Sequence, residues 1–130
     1  MRACCLYIFL VVFTSPSIAQ DINQPSPIGF ASVEEAYLAL ESDPEAKVTE
    51  YEGWTIFNQK GEGSYILWSF TPNQHPAHPS AIRREIVKKG DQILINMNAL
   101  CESGKFECDQ LIDQFKFINK NIKNNMNGGG

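Results

Sequence analysis

The only two histidines of the chain, His75 and His78, stand three residues apart inside Pro72-Asn73-Gln74-His75-Pro76-Ala77-His78-Pro79. Imidazole is the commonest metal ligand and the usual general base near neutral pH, so chemistry is sought here first. Three prolines in eight residues cannot sit in a central strand, and the segment reads as a stiff, exposed connection between two strands. In a polyproline-type conformation, rising about 3.1 Å per residue, both rings face the same way about 9 Å apart along the axis. One zinc needs each nitrogen at about 2.0–2.1 Å, so the rings would have to lean together. The remaining ligands would have to come from Glu62, Glu85 or Asp91, which nothing in the spacing singles out. The loop is therefore read first as a recognition element and second as a site for Zn²⁺ or Cu²⁺, with no cofactor required by the first reading.

Other constellations are weaker. Ser64, Ser69 and Ser80 lack the Gly-x-Ser-x-Gly surroundings of a nucleophile elbow. Gly61-Glu62-Gly63 does not continue into a phosphate-cradling pattern and carries an acid that would repel phosphate. Glu50 and Glu52, two apart on one strand, would share a face, which serves paired catalytic carboxylates but far more often marks the wet side of a half-exposed strand. A hydrolase is thus the third reading. Arg83, Arg84, Lys88 and Lys89 cluster in sequence, yet Arg83 and Arg84 alternate across a strand, and a solvated strand end accounts for them. A formal net charge of -4 argues against nucleic acid as a partner, because that affinity comes from Lys and Arg neutralising phosphates.

Residues 1–19 place Arg2 before an apolar run from Leu6 to Phe13, then Pro16 and Ser17-Ile18-Ala19, the plan of a secretory signal peptide. The run is far shorter than the roughly 20 residues a membrane span needs, so no span is expected after cleavage. Periplasmic or secreted location follows as an expectation. Cys4 and Cys5 would leave with the leader, and in an oxidising compartment Cys101 and Cys108 are expected to pair, since two thiols without nearby histidines make no tetrahedral zinc set.

The elements that must position these residues follow from periodicity. Residues 20–30 read as a flexible lead-in, and 31–123 as a single domain. Ser32 three residues before Glu35 is a capping-box pattern opening a helix whose stripe is Val33, Ala36, Tyr37 and Leu40, ended by Asp43-Pro44. From Lys47 the period becomes two, with extended runs through Trp54–Phe57, Ser64–Thr71, Ala81–Lys88 and Gln92–Cys101, the last two joined through Gly90-Asp91. In the final run Ile93, Ile95, Met97, Ala99 and Cys101 share one face. A helix from about Phe106 repeats Leu111, Phe115, Ile118 and Ile122, and residues 124–130 read as a disordered tail. The expected fold is α+β, a four-stranded antiparallel sheet flanked by an N-terminal and a C-terminal helix in the order α-β-β-β-β-α, with both helices on one face and one disulfide. Trp68 and Phe70 then share the core face with Ile66, while Tyr65 and Leu67 point to the other and could form an apolar patch beside the proline loop.

The stretch Ile66-Leu67-Trp68-Ser69-Phe70-Thr71-Pro72 running into His75-Pro76-Ala77-His78-Pro79, with Leu100-Cys101-Glu102 and Cys108-Asp109, resembles a group of small exported bacterial proteins of unassigned function. The resemblance covers most of the chain after the leader and implies a bacterial, periplasmic setting but no activity. From the stiff exposed loop and the missing catalytic set, the expectation is a non-enzymatic module that binds a partner, another periplasmic protein, through Pro72, His75, Pro76, His78 and Pro79 and the face bearing Tyr65 and Leu67.

Overall fold

A computed structural model describes residues 25–128. The signal-peptide reading of residues 1–19 and the first part of the lead-in lie outside the described residues, as do residues 129–130. The order is α1 (Val33–Glu41), β1 (Lys47–Tyr51), β2 (Trp54–Gly61), β3 (Ser64–Phe70), β4 (Ser80–Lys89), β5 (Gln92–Cys101) and α2 (Lys105–Gly128). The strands pair antiparallel in sequence order as a five-stranded meander. The α+β class holds, and the sheet has one strand more than the sequence suggests. The run from Lys47 to Phe57 is cut by a two-residue hairpin at Glu52-Gly53, where Tyr51 pairs with Trp54. Both turn residues have positive φ, 49° and 83°, as a type I′ turn demands. Glutamate is not a residue that announces such a turn, which is why Glu50 and Glu52 read as one strand. Glu52 is in the turn, so the two acids are not a pair on one face.

The helices lie on opposite faces of the sheet, not on one. On the first face, Val33, Ala36 and Leu40 of α1 pack on Phe57, Trp68, Phe70 and Ala81, with Ile28 buried among them. Phe57, Tyr37 and Phe70 meet edge to face in pairs, the geometry the ring quadrupole favours. On the second face, Leu111 and Phe115 of α2 pack on Ile82, with Met97, Ala99 and Cys101 around them. Both faces are needed because β3 and β4 carry buried residues consecutively: Trp68, Ser69 and Phe70 on one, Ala81 and Ile82 on the other. A strand buried on both sides shows a continuous run in place of alternation.

Local chemistry sets the helix boundaries. Ser32 Oγ accepts the Glu35 N–H at 3.0 Å, while the Glu35 carboxylate reaches past the cap to the Ala31 N–H at 2.9 Å, so the reciprocal half of the capping box lands one residue early. After α1, Asp43 accepts the Glu45 N–H and, through its other oxygen, the Gln59 amide; Gln59 in turn accepts the Trp68 indole N–H at 2.9 Å. The buried indole therefore has its one donor satisfied. Cys101 and Cys108 form the expected disulfide, tying the end of β5 to the first turn of α2. The helix continues past Lys123 through the stretch read as a tail, because Asn127 clamps both backbone groups of Ile93 at the start of β5, accepting at 2.9 Å and donating at 3.4 Å. At the other end, Ile28 in the core anchors part of the segment read as a flexible lead-in.

Candidate functional site

The proline-rich loop is folded back, not extended. The His75 N–H bonds to the Pro72 carbonyl at 3.0 Å and the His78 N–H to the His75 carbonyl at 2.9 Å, two successive turns in place of the polyproline rise. Further ties fix it to the sheet end: Thr71 N–H to the Ser80 carbonyl, Ser80 N–H to Thr71 Oγ1, Ser80 Oγ to the Ala77 carbonyl, Ser103 Oγ to the Pro76 carbonyl and Glu102 N–H to the Pro79 carbonyl. Ala77 is wholly buried among Ile82, Leu111 and Phe115. Three prolines here shorten the list of backbone donors that a buried connection must satisfy.

The turns separate the two imidazoles. His75 packs its ring edge to face on Trp54, on the α2 side of the sheet, and its Nδ1 accepts the Ala77 N–H. His78 sits on the α1 side, among residues that include Phe70 and Tyr37. They do not converge, and among the described residues no group of three or more His, Cys, Asp or Glu side chains could hold a metal ion. His78 Nδ1 lies 3.1 Å from both the carbonyl and the hydroxyl of Thr71. A carbonyl only accepts, so this contact calls for a proton on Nδ1. Thr71 Oγ1 already accepts the Ser80 N–H in a buried position, which makes it a structural tie and not an activated nucleophile.

His78 lines a groove of about 760 Å³ at the end of the sheet, between the first turns of α1 and the returning loop. That is within the usual range for small-ligand sites. Its lining mixes apolar Val33, Tyr37 and Phe70 with polar Thr55, Thr71 and Ser80, and the exposed carboxylates of Glu34 and Glu102 border it. Glu102 comes from the connection between β5 and α2 and accepts the Val33 N–H at 2.6 Å. This satisfies one of the donors that a helix N-terminus leaves without an internal partner, and it places a carboxylate where the helix dipole favours one.

Of the residues singled out from sequence, Pro72, His78 and Pro79 line this groove, while His75 packs on the α2 side. Tyr65 and Leu67 do point to the face opposite Trp68, and Tyr65 is half exposed. Tyr65 does not adjoin the loop: it is near the start of β3 and the loop leaves the far end of that strand, about 20 Å away at strand rise. The groove residues that sequence reading missed include Val33, Glu34, Tyr37, Thr55, Phe70 and Glu102. Val33 and Glu102 are 69 positions apart, and no local pattern connects them. Arg84 departs from expectation more sharply. It is 8% exposed, pressed under α2 with its guanidinium 5.0 Å from the Phe115 ring centroid, not on a solvated strand end. Arg83, on the other face, lies over Trp68 and pairs with Glu85 at 3.5 Å. The chain matches no family model, and neither a curated protein nor a solved structure matches it.

Proposed function

We propose that the protein is a small exported, non-enzymatic binding module, working in the periplasm or outside the cell, and that the groove between α1 and the Pro72–Pro79 loop is where it binds. The groove itself carries this reading: a concavity on a sheet end and a disulfide-tied connection, lined by apolar Val33, Tyr37 and Phe70 among hydroxyl, amide and carboxylate groups, offers a ligand both contact surface and hydrogen-bond partners. Binding is favoured over hydrolysis because the groove's one imidazole spends Nδ1 on Thr71 in place of a carboxylate that would orient it as a base. The proline loop thus serves recognition as a wall and not as an exposed finger. A thermal-shift screen of small molecules and short peptides tests the proposal when run on the protein and on Thr55→Phe, which fills the groove from β2. Compounds that stabilise the first and not the second support it; a screen with no such compound removes the groove from the function.

A further inference from the structure

The charges around the groove are one-sided. Glu34 stands on the first turn of α1, and Glu102, just past the end of β5, reaches it at the same end of the sheet, using one oxygen on the Val33 N–H and leaving the other for a ligand. Glu50 is the cross-strand partner of Thr55, so its side chain leaves the sheet on the face that Thr55 contributes to the groove. No lysine or arginine is among the described residues that line it. The α1 N-terminus offsets part of one negative charge only, since a helix dipole amounts to about half an elementary charge at its end. The same groove is lined by Tyr37, Phe70 and Pro72, aromatic and apolar groups that suit a hydrocarbon stem and the face of a cation.

We infer that the groove takes an organic cation, an ammonium or guanidinium carried on an apolar stem, with the charge held by Glu34 and Glu102 and the stem laid on Tyr37 and Phe70. The inference rests on the binding role proposed above and adds the ligand's chemistry. The same chemistry is offered by a free alkylamine and by a basic side chain of a peptide.

The test is an amide NMR titration of the isotope-labelled protein with n-hexylammonium, n-hexanol and n-hexanoate, plus the blocked peptide acetyl-Ala-Lys-Ala-amide. Hexylammonium is expected to shift Tyr37, Thr55 and Thr71 and to bind at least about tenfold more tightly than its neutral and anionic counterparts, a difference of about 1.4 kcal/mol. Response to the blocked peptide assigns the source to a basic side chain, and response to hexylammonium alone to a free amine; either supports the inference. Glu102→Gln retains an oxygen for the Val33 N–H, so Glu34→Gln/Glu102→Gln is expected to keep the fold, lose that preference for ammonium and leave hexanol binding unchanged. Glu34→Gln alone, at a side chain free of internal hydrogen bonds among the described residues, gives the same test with half the charge removed. Equal or tighter binding of hexanol or hexanoate at the same amides overturns the cation inference and leaves the binding role standing. Absence of any shift in the groove with every probe at millimolar concentration overturns both.

Discussion

Arg84 is a guanidinium taken out of water with little in return. It makes a long 3.4 Å hydrogen bond from Nη2 to Ser69, and among the described residues its Nε has no partner and no carboxylate pairs with it. Burial holds its pKa below the ordinary arginine value. The group nevertheless stays charged at any pH the fold experiences, so the penalty does not vary with pH. What offsets it is the cation over the Phe115 ring and the burial of its aliphatic stem. Arg84→Met keeps the stem and removes the charge, and is expected to move the urea midpoint upward by about 1 kcal/mol of stability. Arg84→Ala removes both and is expected to fall about 2 kcal/mol below the methionine variant because of the cavity it leaves. If methionine is the more destabilising of the two, the charge itself is holding the structure. Thr71 carries the opposite lesson, since every contact of its hydroxyl is used. Thr71→Val keeps the shape but strands the buried Ser80 N–H, and is expected to cost about 2 kcal/mol by chemical denaturation.

The elements show which patterns a sequence displays openly. The face shared by Met97, Ala99 and Cys101, the stripe of Leu111 and Phe115, the Ser32 cap and the Cys101–Cys108 pair all recur in the structure where the sequence pattern puts them. Each depends on neighbours within a few residues. The β1–β2 hairpin escaped because Glu52 adopts a left-handed backbone that Asn or Gly would have advertised. The separation of the helices was hinted at by Leu100 on the polar side of β5, which in fact packs against the α1 cluster. The groove was legible only through Pro72, His78 and Pro79, because its other wall is assembled from contacts across most of the chain. Two predictions belong here. Glu52→Asn relieves the left-handed glutamate and is expected to add about 0.5–1 kcal/mol, seen as a higher Tm; an unchanged or lower Tm would show that the turn is not strained by glutamate. Replacing both Cys101 and Cys108 with alanine opens a short loop and is expected to lower stability by about 2.5 kcal/mol while helical circular dichroism persists, because Leu111 and Phe115 still hold α2. Loss of the helical signal would mean that the disulfide, not the apolar stripe, docks the helix.

At the scale of the molecule, one sheet separates two apolar clusters that share strands but not side chains. The α1 cluster holds Leu40 at 3% exposure, and the α2 cluster holds Leu111 at 1%. Truncating either to alanine deletes buried methyl groups and leaves a cavity, costing about 2–5 kcal/mol each. The sheet between them keeps the two sites out of contact, so the losses are expected to add within about 0.5 kcal/mol. A domain of this size is stable by only about 5–15 kcal/mol, so the double variant is expected to lie near or past the limit while each single variant folds. Urea midpoints for Leu40→Ala, Leu111→Ala and the pair measure this directly. Each single variant should still melt in one transition, because β3 and β4 carry both clusters and neither layer can leave without exposing the strand that serves the other. Two transitions in either single variant would mean that α2 and its disulfide form a cooperative unit independent of α1 and the groove.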